Sequence, residues 1–412
     1  MIEKIEQLGK EVETAWKKEG YAKEVFPRIA FELLQKHRFH EQFSMETFLK
    51  SFCKLKTLPS QLTITNTFGE PPITLYRNDA LNFLIDIYFW VTPEISIHAH
   101  GFQGAFTNLQ GKSLHCTYHF RAENSDSDVF TGEISLKEAT LLLEGAVEEI
   151  TRGLGFIHEV WHVSFPTVTL VIRTIMADGP QYNFLKPHFA FRYEPYTPLE
   201  SKQMDTLEML YRVKSPQKEC FLEELTRTYK PYQAFVHLRK YLAATGDLKS
   251  IKSALERIPN FQKWLPYFLE SVRTSYETGA TWNRLQDERE RLLIALLSSL
   301  EKRDEILSFM EAHYPGKPVL TTLIGWIRKL VKERKLAFEL NETALDVLEL
   351  LLHGYGEKAL CQKLSRSYQV KNSPSFQRDI GVFCNQLRAH ELFKVLLSPP
   401  PKVSPRQAPV PV

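Results

Sequence analysis

The feature that most restricts the possible folds of this chain is a run of short β-rich segments in its first half. From about residue 62 to residue 193, apolar stretches alternate with turn residues, as in Leu84–Trp90, Leu114–Phe120 and Thr167–Thr174. Segments of this number and length predict a closed or sandwiched β-barrel. The apolar spacing also allows a helix inside the run, over Leu136–Ile150.

Helical spacing of apolar residues dominates on both sides of the predicted barrel. Residues 1–58 predict an N-terminal helical segment, and the barrel is expected over 59–198. Residues 199–397 predict a large all-α domain without a convincing repeat period. Residues 398–412 hold six prolines and predict a disordered tail. The predicted fold class is therefore α+β multidomain: a β-barrel flanked by N-terminal helices and a large C-terminal all-α domain.

Three histidines inside the β-rich run form the candidate chemical site. His98 and His100 are two residues apart on a predicted strand, and side chains on a strand alternate faces, so both imidazoles project to the same side. His158 follows the glycine-rich turn Gly153–Gly155 about sixty residues later. Three imidazoles can bind one ion as a facial set, which leaves the opposite coordination positions open for other ligands.

The sequence around these histidines resembles the two motifs of the cupin barrel, or double-stranded β-helix. From His98, the spacing H-A-H, then Gly104, then Gly111 matches the first motif, and residues 153–162 fit the second. Gly104 stands where the usual glutamate ligand would be, so only histidines remain as protein ligands. A site without that carboxylate resembles the site of the thiol dioxygenases of the cysteine dioxygenase type. The resemblance to that family covers roughly residues 74–175.

This resemblance implies a ferrous site and roles for the residues beside it. Thiol dioxygenases bind Fe(II) through three histidines, here His98, His100 and His158, and oxidise a small thiol-bearing or amino-acid-like substrate with dioxygen. The arginine at the Arg77 position holds the substrate carboxylate in that family, and a bidentate, charge-assisted guanidinium suits this task. Tyr76 adjoins Arg77 and is also expected to contact substrate.

The chain departs from that family on the strand after the third ligand. The family's Ser-x-His-x-Tyr appears here as T-L-V-I-R from Thr169 to Arg173, so the tyrosine and its supporting histidine are missing. Thr169 is expected to contact substrate, and Arg173, if it points inward, to contact an anionic group on a larger substrate. His162 competes with His158 as third ligand. The motif spacing favours His158 and leaves His162 to orient a ligand or substrate.

Other features of the sequence exclude several classes of function. The formal net charge of +3 is too small to predict binding to nucleic acid or to an acidic membrane surface. No signal peptide is evident, and the apolar stretches are too short to span a bilayer. The five cysteines are scattered and fit a reducing, cytoplasmic location. His115 and His119 are expected to be ordinary barrel side chains.

A second interpretation remains open from the sequence alone. The missing tyrosine and histidine also fit a non-catalytic or regulatory cupin, in which the C-terminal α-domain binds a protein partner. Alternatively, that domain forms a lid or a dock for a carrier-bound or peptide substrate of an active enzyme. Both alternatives place a possible protein or carrier partner on residues 199–397.

Overall fold

A computed structural model describes residues 1–61, 71–91, 96–126, 129–175, 179–186, 188–193, 197–228, 265–316 and 318–397, with residues 233, 253 and 256. Contacts along its backbone divide the chain into two compact units, Met1–Leu292 and Leu293–Val412. The proline-rich tail, and all but these three residues of the helices expected around residues 232–257, lie outside the description.

The N-terminal segment is helical, as the sequence predicted. Its helices are α1 (Ile2–Lys18), α2 (Phe26–His37) and α3 (Met45–Phe52). The side chain of Ser44 accepts a hydrogen bond from the backbone N–H of Thr47, which caps the start of α3. In α1, the residues at helical spacing (Ile5, Leu8, Val12 and Trp16) are buried. They form one core with the apolar face of a β-sheet.

The β-rich run forms a five-stranded sheet and a closed six-stranded barrel. The sheet has the order β1 (Pro72–Asn78), β2 (Phe83–Trp90), β9 (Thr167–Thr174), β4 (Gly104–Gln110) and β7 (Val147–Ile150). The barrel has the order β10 (Gln181–Leu185), β11 (Phe189–Tyr193), β6 (Val129–Leu142), β5 (Ser113–Asp126), β8 (Ile157–His162) and β3 (Ile97–Ala99). The predicted barrel and its helical flanks are thereby confirmed.

The helix allowed by the sequence over Leu136–Ile150 is wrong. Strand β6 continues to Leu142, and β7 begins at Val147 after a turn in which Gly145 has φ +85°. Strand β6 pairs along its length with the long strand β5, so the ladder between them overrides the local apolar spacing.

Alternation along β2 and β9 gives the five-stranded sheet two distinct faces. One face packs against the N-terminal helices through Phe83, Ile85, Ile87, Phe89, Val168, Leu170 and Ile172. The intervening residues, among them Asp86, Tyr88, Trp90, Thr169 and Arg173, project from the opposite face. That face lies toward the candidate histidines, because the ring of Trp90 stacks on His162 with centroids 4.4 Å apart.

The remaining helices follow the barrel in sequence. In the first unit, α4 (Pro198–Arg212), α5 (Lys218–Thr226) and α6 (Leu265–Trp282) precede α7 (Glu288–Ser299), which continues into the second unit. The second unit holds α8 (Arg303–His313), α9 (Val319–Lys332), α10 (Glu342–Leu352), α11 (Glu357–Ser367), α12 (Pro374–Ala389) and α13 (Glu391–Leu397). Among the described helices, none combines the length and apolarity that a bilayer crossing requires.

Candidate metal centre

Three buried imidazoles converge at one place in the barrel. His98 lies opposite His158 in the antiparallel register of β3 and β8, and His100 follows His98 on the same face. One ring nitrogen from each of the three side chains lies within 4.8 Å of the other two. The Nε2 atoms of His100 and His158 are 2.8 Å apart.

A glycine turn brings the third histidine into place. Gly153 has φ +71°, a conformation that favours glycine, and its N–H donates a 2.8 Å hydrogen bond to the carbonyl of His100. Arg152 forms a parallel bridge with His100. Strand β8 then begins at Ile157, so the turn fixes the position of His158 relative to β3.

A neighbouring acceptor sets the tautomer of His98 that a metal requires, and His115 is placed to do the same for His158. The Nδ1–H of His98 donates to the carbonyl of Ser96 at 2.9 Å, which leaves a lone pair on Nε2. Nδ1 of His158 lies 3.0 Å from Nε2 of His115. If this Nδ1–H donates to His115, Nε2 of His158 also presents a lone pair to the centre, and the Nδ1–H of His115 lies toward the Glu148 carboxylate, 3.9 Å away.

Burial keeps these histidines neutral, as metal ligation demands. Desolvation lowers the pKa of His98, and it lowers the pKa values of His100 and His158 well below the usual range. Repulsion between like charges adds to this effect: a proton on His100 would be repelled by Arg173 and by a protonated His98, and a proton on His158 by any neighbouring histidine that is protonated. Desolvation also lowers the pKa of His115 to about 4 and that of His162 to about 3.

The donor set fits a metal ion held by three histidines. Two nitrogens bound at right angles to one ion, each at about 2.1 Å, lie about 3 Å apart, close to the separation of the His100 and His158 Nε2 atoms. The glutamate that serves as a fourth ligand in many cupins would not fit at position 104. A Cβ atom on Gly104 would collide with the carbonyl oxygen of Ile172 and lie 2.8 Å from Cα of Arg173.

His162 lies on the same strand as His158 and contacts different partners. Its Nδ1 is 3.0 Å from the Ser113 hydroxyl, and its ring stacks on Trp90. The indole N–H of Trp90 donates to Thr169 at 2.9 Å. Thus His162 and Thr169, two residues singled out in the sequence, both contact Trp90 on the histidine-facing side of the sheet.

Arg173 is buried near the histidines. Its guanidinium carbon lies 4.8 Å from the centre of the Phe102 ring, and the same ring lies 4.3 Å from the His100 ring. One guanidinium nitrogen is 3.3 Å from a carboxylate oxygen of Asp86. Desolvation acts to lower the pKa of Arg173, but Tyr88 and Asp86 outweigh it and raise that pKa, so the side chain is charged.

Arg77 and Tyr76 contact other parts of the first unit. Arg77 hydrogen-bonds the Asp79 carboxylate at 2.8 Å and the Ser60 carbonyl at 3.2 Å. Tyr76 donates to Glu13 of α1 and packs with the apolar core beneath the N-terminal helices. The structure therefore groups Arg173, His162 and Thr169 on the histidine side of the sheet and ties Tyr76 to the helical side.

Sequence reasoning missed the contact between His115 and His158. Both residues are on neighbouring strands, and β5 pairs with β8 so that Thr117 lies opposite His158, which places His115 diagonally beside it. His119, four residues further along, is exposed because β8 begins opposite Tyr118 and does not cover it. Pairing of the two strands, which no local spacing reveals, is the signal that distinguishes these two histidines.

Comparison with known proteins adds one partial similarity. The family model described as coenzyme PQQ synthesis protein D (PqqD) matches residues 328–392, all of which lie in the second unit. A search of curated proteins found no match to the chain. The barrel with its three-histidine cluster is compatible with a cupin-like fold and can hold a metal ion.

Proposed function

We propose that the chain is a non-haem Fe(II) oxygenase of the thiol dioxygenase type, acting on a small thiol- or carboxylate-bearing, amino-acid-like substrate. The observation that carries the proposal is the convergence of His98, His100 and His158, all buried; in the described part of the chain no carboxylate belongs to this cluster. Three neutral imidazoles leave the full charge of a divalent ion uncompensated, which favours anionic ligands such as a thiolate. The resemblance of residues 74–175 to the cysteine dioxygenase family supports iron as the metal.

The reaction proposed is R–SH + O₂ → R–SO₂H. Two S–O bonds form and the O–O bond breaks, so sulfur loses four electrons, dioxygen gains them and no further reductant is needed. His98, His100 and His158 would hold the iron, which would supply the redox chemistry of this reaction. The thiol proton is released on binding and returns when the sulfinic acid is formed.

The protein's own residues bind and orient the substrate in this proposal. Phe102 and Phe156 flank the imidazoles of His100 and His158, with ring centroids 4.3 and 4.5 Å away, and exclude water from the centre. His162 and Thr169 provide polar groups on either side of Trp90. These contacts support the orienting role predicted for His162 and the substrate contact predicted for Thr169.

An oxygen-electrode assay tests the proposal. Protein loaded anaerobically with Fe(II) is offered a panel of thiols and amino acids, and the product is analysed by mass spectrometry after turnover with ¹⁸O₂. We expect one dioxygen consumed per sulfinate formed, with both labelled atoms on sulfur. Absence of consumption with every thiol, by protein that retains iron, contradicts the oxygenase function.

A second candidate function belongs to the helical unit. The match of residues 328–392 to coenzyme PQQ synthesis protein D favours a protein partner for this unit. Val370 and Val382, which lie within the matched range, are about half exposed, 46% and 49%. We propose that these exposed apolar side chains contact a protein, either as part of a regulatory cupin or as a dock for a carrier-bound or peptide substrate. Affinity capture with the full chain, compared with its Val370→Asp/Val382→Asp variant, tests the surface; equal capture by both contradicts it.

A further inference from the structure

We infer that Arg173 binds the anionic end of the substrate, opposite the group that the three histidines' metal would hold. The inference rests on the proposed function and names the residue that would select its substrate. Arg173 projects from the histidine-facing side of β9 and is only 7% exposed. The Phe102 ring contacts both the Arg173 guanidinium and the His100 imidazole.

The guanidinium has hydrogen-bonding capacity that its neighbours leave unused. Arginine carries five N–H donors. Its Nη2 lies 3.3 Å from Asp86, the guanidinium also hydrogen-bonds Tyr88, and its Nη1 makes a long 3.4 Å hydrogen bond to the Thr174 carbonyl. Within the described part of the chain, Nε of Arg173 is buried and has no hydrogen-bond partner. A buried, unsatisfied donor of a charged group is costly, and a ligand carboxylate can satisfy it.

Asp86 orients Arg173. Its carboxylate accepts hydrogen bonds from Thr74 at 2.7 Å and from Tyr88 at 2.9 Å. These two bonds hold the carboxylate in place independently of the guanidinium. Because Asp86 balances the charge of Arg173, the charge of a divalent ion beside neutral histidines is left without compensation. A ligand with both a thiolate and a second anionic group therefore matches this pocket in charge.

The sequence offered another arginine for the same task. Arg77 is engaged by the carboxylate of Asp79, which lies two residues away, and by the Ser60 carbonyl. Arg173 occupies the position at which the thiol dioxygenases have their tyrosine. Binding of the anionic group by Arg173 and binding by Arg77 predict opposite results in one experiment. The variant of each arginine is therefore the control for the variant of the other.

The test measures ligand binding, not turnover. Co(II)-loaded protein is titrated anaerobically with 3-mercaptopropionate and with 3-mercaptopropanamide, which differ only in the charge remote from sulfur, and the thiolate-to-Co(II) absorption band is followed. The variants are Asp86→Asn/Arg173→Gln, which removes both buried charges together, Arg173→Lys and Arg77→Gln. Thermal unfolding of each variant verifies its fold.

We expect wild-type protein to prefer the carboxylate over the amide by roughly tenfold to a hundredfold, the range for one charge-assisted contact. The Asp86→Asn/Arg173→Gln variant loses this preference, Arg173→Lys retains part of it, and Arg77→Gln retains all of it. Retention of the preference without Arg173, or its loss in Arg77→Gln, overturns the inference while leaving thiol binding intact. If wild-type protein binds neither thiol, the proposed function fails together with the inference.

Discussion

His115 lies directly behind a candidate ligand: its Nε2 is 3.0 Å from Nδ1 of His158, whose Nε2 faces His100. The other ring nitrogen of His115 lies toward Glu148, so the three residues form a row that ends at the centre. Partners of this kind hold a metal-binding imidazole in one tautomer and one orientation. We therefore expect His115 to position His158 and to lie outside the set of metal ligands.

Replacement of His115 by glutamine is expected to weaken metal binding by about tenfold to a hundredfold, because His158 loses its orienting partner. The matched control is His119→Gln, four residues along the same strand and exposed. Competition with a metal-sensitive chelator measures both affinities. Equal affinity in the two variants would show that His115 only fills space.

The buried pair of Asp86 and Arg173 makes a prediction about stability. Asp86→Asn leaves a buried guanidinium without a counter-ion, so we expect the free energy of unfolding to fall by about 3 kcal/mol. In the Asp86→Asn/Arg173→Gln variant no buried charge remains, and much of that loss is recovered. Urea denaturation of metal-free protein measures both. A double variant less stable than the single one would contradict the account of this pair.

A side chain at position 104 is expected to lower stability, and a glutamate there is not expected to act as a fourth ligand. A side chain there meets backbone atoms of Ile172 and Arg173, which cannot rotate away, so Gly104→Ala is expected to cost about 2 kcal/mol or more. Gly104→Glu is expected to destabilise the protein without raising metal affinity. Gly179→Ala is the control, since none of the residues that the structure describes lies within 4 Å of the added Cβ. Thermal unfolding and chelator competition distinguish the outcomes.

Acid is expected to destabilise the metal-free protein before carboxylates titrate. The pKa values of His115 and His162, about 4 and about 3, lie below the ordinary value of 6.5 because both rings are buried. Below pH 6.5 the unfolded chain binds protons that the folded chain does not, so the free energy of unfolding falls as pH falls from 6.5 toward 4. The slope is up to about 1.4 kcal/mol per pH unit for each histidine.

Urea denaturation at pH 7, 6 and 5 in the presence of a chelator measures this slope. In His162→Gln, one of the groups is removed, and the slope is expected to be smaller. A free energy of unfolding that does not change between pH 7 and pH 5 is incompatible with neutral, buried histidines.

The sequence was sufficient for the fold class and for the trio of histidines, because both depend on local patterns. Alternation of side chains along a strand places His98 and His100 on one face, and the glycine-rich turn in the sequence indicates His158 as the third member. The β5–β8 contact between His115 and His158 joins residues 43 positions apart, and nothing local encodes it. The failed helix over Leu136–Ile150 has the same cause, since the pairing of β6 with β5 decides its conformation.

Metal analysis tests the central claim most directly. Wild-type protein reconstituted anaerobically with Fe(II) and then desalted is predicted to retain about one iron per chain, as one three-histidine site requires. The His98→Ala/His100→Ala variant is predicted to retain almost none, while His119→Ala retains as much as the wild type. Full iron occupancy in the His98→Ala/His100→Ala variant, verified as folded, would contradict the account.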